Sequence, residues 1–291
     1  MRALHRILRV IWAGVLGLLI TLAGSVVLGT LLTVNVTTSP DVPWWVLPMA
    51  GYLWLLWRYL GGSGWPRSTS ESRRRSRRAN PVPRPVFGWA LFAGLLAIAA
   101  LAGYWVALSQ LVKMPPNPFS DYSRYSRAMA ISLVVMGSIN SPITEEAGFR
   151  GYCQTRLERE FRAPAAVALS SLFFMLAHVN QGLEWPKLAI LYLVGLAFGT
   201  IACLANSTLA SIPVHIIGDL TFFIFVWPRD AARRLIWDGG PDAWFWIHVA
   251  QAIAFTGLAI LAFRRLARSG RGLRTLGGPV VSALSQSQVN S

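Results

Sequence analysis

Charge is what this sequence has least of. Only 13% of its 291 residues are Asp, Glu, Lys or Arg, against roughly 25% in a soluble domain. Lysine is nearly missing: Lys113 and Lys187 stand against 25 arginines. Cysteine is as scarce, with Cys153 and Cys203 alone, one in a polar flank and one in an apolar run, which argues against a disulfide framework. No repeat with a period of about 20–50 residues recurs. No His-Glu-x-x-His stretch occurs either.

What fills the chain is apolar. Hydrophobic residues make up 54% and the mean hydropathy is +0.47. An apolar helix crosses a bilayer in about 20 residues, so the chain reads as an all-α, polytopic membrane helix bundle. Hydropathy predicts about eight transmembrane helices, at 8–34, 43–60, 86–111, 128–149, 164–180, 187–206, 208–227 and 243–264. The first run is too long for a signal-peptide core and lacks a small-residue cleavage site. It is read as a span.

The arginines lie between the apolar runs. With the N-terminus inside, 19 Lys and Arg residues fall in inner segments and 7 in outer ones, Arg150 set aside. By the positive-inside rule this bias, with an even number of spans, puts both termini in the cytoplasm. The cluster Arg73, Arg74, Arg75, Arg77 and Arg78 is read as a topology signal and a contact for anionic lipid; a nucleic-acid arm is the minor reading, and no nucleic-acid partner is expected. The chain thus divides into N-terminal helices (1–127) with a cytoplasmic Arg-rich loop (61–85), a core with polar motifs (128–227), an outer loop and last helix (228–265), and a disordered cytoplasmic tail (266–291). Residues 67–85, polar and proline-rich, read as a flexible linker. The expected location is a plasma membrane, bacterial in origin.

Ionisable groups inside the spans are few, and each is a functional candidate because burying a charge in lipid costs about 3 kcal/mol or more. They fall in three segments: "EEAGFR" with Glu145, Glu146 and Arg150, "FFMLAH" with His178, and "HIIGD" with His215 and Asp219. Glu146 and Arg150 are four apart and face each other on a helix. Glu145 points about 100° away and has no such local partner, which makes it the candidate general base. His215 and Asp219 are also four apart, so the carboxylate can fix the imidazole's tautomer and orientation, or share a ligand with it. Pro142 is expected to kink or break the span just before the glutamates, as helices do where they line a cavity.

Depth links the segments. A turn near residues 161–162 lies equally far from Glu145 and His178, which places them level in an antiparallel hairpin. His215 follows the turn at "ANS" by eight or nine residues, about 13 Å of helical rise. The bland readings are a charged interfacial flank for the first segment and a buried polar pair for the third. His248, among aromatics, is read as structural. Trp44, Trp45, Trp54, Trp57 and Trp65 are read as interfacial belts.

In this order, "EEAGFR", "FMLAH" and "HIIGD" resemble the three motifs of the CAAX proteases and bacteriocin-processing enzymes, also called the Abi or CPBP family, which includes the type II CAAX prenyl endopeptidases. The resemblance covers about residues 128–227. It implies an α-helical intramembrane endopeptidase whose polar site opens toward the cytoplasm, acting on a membrane-anchored or C-terminally lipidated protein or peptide. Carried over by position, Glu145 activates the attacking water, Glu146 and Arg150 orient the site, His178 helps hold the water or a metal, and His215 and Asp219 support the tetrahedral intermediate. Both a metal-free glutamate mechanism and a metalloprotease mechanism are implied. For the latter, Glu145, His178 and His215 would bind Zn2+ or another divalent metal. Asp219 stands where the family commonly has Asn. An ionised Asp cannot donate to an oxyanion, so Asp219 must be protonated, orient His215 or bind a cation. Two readings from other classes stay open: a non-proteolytic scaffold or immunity/regulatory protein on the same fold, and a secondary transporter, which would show inverted repeats.

Overall fold

A computed structural model describes residues 2–114, 125–226 and 234–271. The tail from residue 272 on, and Arg124, Trp227, Arg229 and Arg233 of the charge and span readings, lie outside the described residues. Among the described residues every regular element is helical. In chain order these are α1 (Arg2–Thr38), α2 (Val46–Leu60), the short α3 (Ser70–Ser76), α4 (Arg84–Leu111), α5 (Arg127–Glu145), a π-wound segment (Glu146–Cys153), α6 (Gln154–Leu157), α7 (Ala163–Leu176), α8 (Trp185–Leu204), α9 (Thr208–Thr221) and α10 (Ala243–Ser269). The chain is an all-α membrane bundle.

Among the described residues five segments are long and apolar enough to cross a membrane: Leu4–Thr38, Arg84–Leu111, Trp185–Leu204, Thr208–Val226 and Ala243–Ser269. The other expected spans are shorter or more polar. α2 has 15 residues and α7 has 14, and α5 passes directly into the segment that carries Glu146 and Arg150. α7 ends at Leu176, so His178 lies in the turn just beyond the helix and not on a span running to residue 180. α1 exposes Leu8, Trp12, Leu19, Leu22 and Val26, the face a lipid-contacting helix presents.

Among the described residues four apolar clusters hold the bundle, and two of them flank the motif helices. One packs Val86 and Ala90 of α4, Phe198 and Ile201 of α8, Val214 of α9 and Leu266 of α10. The other packs Trp45, Met49, Met129, Ile143 and Ile212. Trp45 is therefore not an interfacial belt residue. It is fully buried, and its indole donates to Ser132 Oγ at 3.2 Å. His248 is buried on α10 with Nδ1 2.8 Å from the Trp244 carbonyl, away from the motifs.

The helix carrying the first motif does not break at Pro142. α5 continues through that residue to Glu145 and then changes winding, so that the Gln154 N–H reaches the Phe149 carbonyl five residues back. Such π turns cluster at functional sites. Here the backbone of α1 presses against the segment: a Cβ on Gly148 would come within 2.4 Å of the Gly17 carbonyl. Only two glycines allow that crossing.

The Arg-rich loop is folded, contrary to the linker reading. Arg73 is buried and donates to the carbonyls of Tyr59 at 3.0 Å, Pro66 at 2.8 Å and Gly64 at 2.7 Å, as well as to Thr69 Oγ1. Arg78, in the left-handed region at φ 52°, pairs with the Glu158 carboxylate and donates to Asn206 Oδ1 at 3.3 Å. A guanidinium holds five donors in a rigid fork, and this turn-rich segment supplies the carbonyls they need.

Candidate active site

α5, the π segment, the α7 turn and α9 bring the six motif residues together. Glu145 is placed by the last turn of α5, where Ser141 one turn earlier donates to its Oε1 at 2.5 Å. Its two oxygens face two imidazoles: Oε1 is 3.8 Å from His178 Nε2 and Oε2 is 3.7 Å from His215 Nε2. His215 Nε2 is also 3.5 Å from Asp219 Oδ1. Glu146 turns the other way, into the fully buried interior. Its Oε1 is 3.1 Å from Arg150 Nη1 and 3.0 Å from His215 Nδ1, and its Oε2 accepts from Ser211 Oγ at 2.5 Å.

This changes the role of two carboxylates. The spacing of His215 and Asp219 allows Asp219 either to set the imidazole's tautomer or to share a ligand with it. In the structure Glu146 sets the tautomer, from another helix, by accepting from Nδ1–H. Asp219 lies against Nε2 instead. Arg150 is packed as well as paired: its guanidinium lies over the rings of Phe174 at 4.2 Å and Phe198 at 5.7 Å. Its Nη1 is close to Glu146 but neither Nη atom is aligned for a hydrogen bond, so the pair is held by charge and by the π faces of its walls.

The tautomers follow from the partners. The Phe174 carbonyl, 2.8 Å from His178 Nδ1, can only accept, so His178 donates from Nδ1. An ionised Glu146 can only accept, so His215 does the same. Both Nε2 atoms then present lone pairs. When both carboxyls are ionised, Glu145, Asp219 and the two Nε2 atoms form an array of acceptors separated by 3.5–3.8 Å, too far for direct hydrogen bonds. Such an array needs donors or positive charge between its members. A water supplies the first and a cation the second. Among the described residues no group of three His, Cys, Asp or Glu is gathered as around a metal ion. The donor chemistry does suit one, because each Nδ1 is tied off by a partner that leaves Nε2 free.

The array opens into a cavity of about 700 Å3. Glu145, His178, His215 and Asp219 are among its lining residues, while Leu28, Leu32, Ile98, Leu133 and Val194 give it apolar walls. Ser138 Oγ and Asn140 Oδ1, on the same wall as Glu145, are buried without a hydrogen-bond partner.

Residues 127–221, from α5 to the end of α9, match the family model described as Type II CAAX prenyl endopeptidase Rce1-like. This segment is a CAAX-protease-family domain. No curated protein and no solved structure gives a match. All six motif residues lie within the matched segment, which spans about a third of the chain, and the chain is an integral membrane protein.

Sequence reasoning missed Ser141, Ser211 and Phe198. The two serines carry a readable signal, each standing four residues before a motif residue, Glu145 or His215. Phe198 has none, because its contact with the ring of His215, 4.3 Å between centroids, depends on how α8 crosses α9.

Proposed function

We propose that this chain is an intramembrane endopeptidase that hydrolyses a peptide bond of a membrane-associated substrate with a water activated by Glu145. The observation that carries the reading is the acceptor array of Glu145, His178 Nε2 and His215 Nε2 at one end of an apolar cavity. A water there donates one hydrogen to Glu145 and the other to an imidazole Nε2, which aims its lone pair outward. Glu145 takes the proton as the oxygen attacks the carbonyl carbon. The same proton then passes to the departing amine, so the carboxylate is regenerated.

The neighbours support those steps. Ser141 fixes the rotamer of Glu145. Glu146, held by Arg150 and Ser211, keeps the His215 proton on Nδ1. A protonated Asp219 would donate to the oxyanion, as the amide common at that position does. Glu145, His178 and His215 are the residues that would hold Zn2+ or another divalent ion, which supplies Lewis acidity and acidifies bound water.

The test is cleavage of membrane-anchored peptides, lipidated and not, by purified protein. Glu145→Gln keeps the shape and removes the base, so the rate should fall about 10²–10⁴-fold. Equal cleavage by both proteins would sink the assignment and leave a scaffold role on this fold.

A further inference from the structure

The arginines gather at one end of the bundle. Arg6 donates to the Glu160 carbonyl at 2.5 Å and Arg9 pairs with the Glu160 carboxylate at 3.0 Å. Arg78 pairs with Glu158, and Asn80 donates to the Asn206 carbonyl at 2.8 Å. These contacts tie the N-terminus, the Arg-rich loop, the α6–α7 turn and the α8–α9 turn into one surface. The C-terminus of α10 joins it, since a Cβ on Gly270 would meet the Leu204 carbonyl at 2.3 Å. Arg264, Arg265 and Arg268 come with it. The opposite end is tied by Ser126 donating to the Asp41 carbonyl at 2.7 Å and Trp237 to the Leu111 carbonyl at 2.9 Å.

The cavity runs from the acceptor array toward that opposite end. Val36, Trp45, Tyr125, Gln181 and Val226 line it there. In the other direction the interior is packed. Phe149, Arg150, Gln154 and Ser211 are 0–1% exposed, and none of them lines the cavity. The CAAX-protease resemblance implies a site opening toward the cytoplasm; the arginine distribution and the cavity place them at opposite ends. Arginine excess marks the cytoplasmic face.

We infer that the catalytic cavity is entered from the non-cytoplasmic side, so that the substrate is an exported, membrane-anchored peptide presenting its cleavage site in the outer half of the bilayer. The inference rests on the proposed hydrolysis for the word substrate, but not for the direction of entry. The apolar walls suit a segment that stays in the membrane.

Cysteine accessibility in the full-length protein tests this. The native Cys153 and Cys203 are buried, so wild type is the blank. Gln181→Cys places a thiol in the cavity, Leu183→Cys one on the exposed adjoining turn, and Arg74→Cys one on α3 at the arginine-rich end. A membrane-impermeant maleimide should modify the first two in intact spheroplasts and the third only after lysis. Labelling of Gln181→Cys and Leu183→Cys only after lysis overturns the inference. So does labelling of Leu183→Cys from outside with Gln181→Cys silent before and after lysis. The same labelling repeated on Glu145→Gln separates the two ideas: a protein that never cleaves still reports its open side.

Discussion

At the arginine-rich end, Arg73 spreads its guanidinium over three carbonyls and Arg78 is held between Glu158 and Asn206. At the cavity, Glu145, Asp219 and two imidazole nitrogens face one another as acceptors. Both regions concentrate polar groups, and both take them out of bulk water. Arg73 and Arg78 are satisfied by the chain and the cavity acceptors are not, although Arg77 Nη1, in the same arginine-rich loop, is buried without a hydrogen-bond partner. Saturated polar groups hold a fold in place, since each lost partner leaves a desolvated atom behind. Unsaturated ones are poised for something that arrives. The adjacent glutamates show the contrast within one turn: Glu146 has Arg150, His215 and Ser211, while Glu145 has Ser141 and an open cavity.

The comparison can be broken by substitutions that separate activity from stability. The largest effect belongs to Glu145→Gln, which should abolish cleavage by the factor given above with little change in melting temperature; a large drop in Tm would make Glu145 a structural group. Next comes Glu146→Ala. It leaves the Arg150 charge buried without its partner, at a cost of about 3–5 kcal/mol, seen in unfolding of the detergent-solubilised protein. Glu146→Gln, which can still accept from Ser211, should lose less.

Arg78→Ala removes a largely buried partner of Glu158 and should cost about 1–3 kcal/mol while the folded fraction cleaves at the wild-type rate. The two serines sharpen the contrast further. Ser211→Ala should lower stability by about 1 kcal/mol. Ser141→Ala should lower kcat and leave the melting temperature in place. Smallest of all is Arg75→Ala at the exposed Glu71 pair, where a change under about 0.5 kcal/mol is expected.

The sequence carries the parts of this site that depend on spacing along one helix. Glu146 with Arg150 is such a pair, and the level placement of Glu145 and His178 follows from a hairpin with a known turn. Serines one turn before Glu145 and His215 were equally readable. The Glu146–His215 contact was not, because it needs the crossing of α5 and α9 and the change in winding after Glu145. Pro142 suggests a break; the helix instead absorbs the missing N–H and alters its winding four residues later, at Glu146. The Arg-rich loop shows the same limit from the other side. A run of arginines looks the same in sequence whether its carbonyl partners are water or turns of the chain.

The π-wound segment has a consequence for how such a site can vary. A π turn is equivalent to one extra residue accommodated inside a helix without ending it. Glu145 is anchored before that extra residue, and Cys153 and Gln154 after it. Removing one residue between them would restore regular winding and rotate everything on one side relative to the other. A single-codon deletion is therefore a more drastic edit here than most substitutions. Made at Gly151 or Tyr152, it would turn Cys153 and Gln154 away from their present neighbours while every ionisable residue of the motif stayed in the chain.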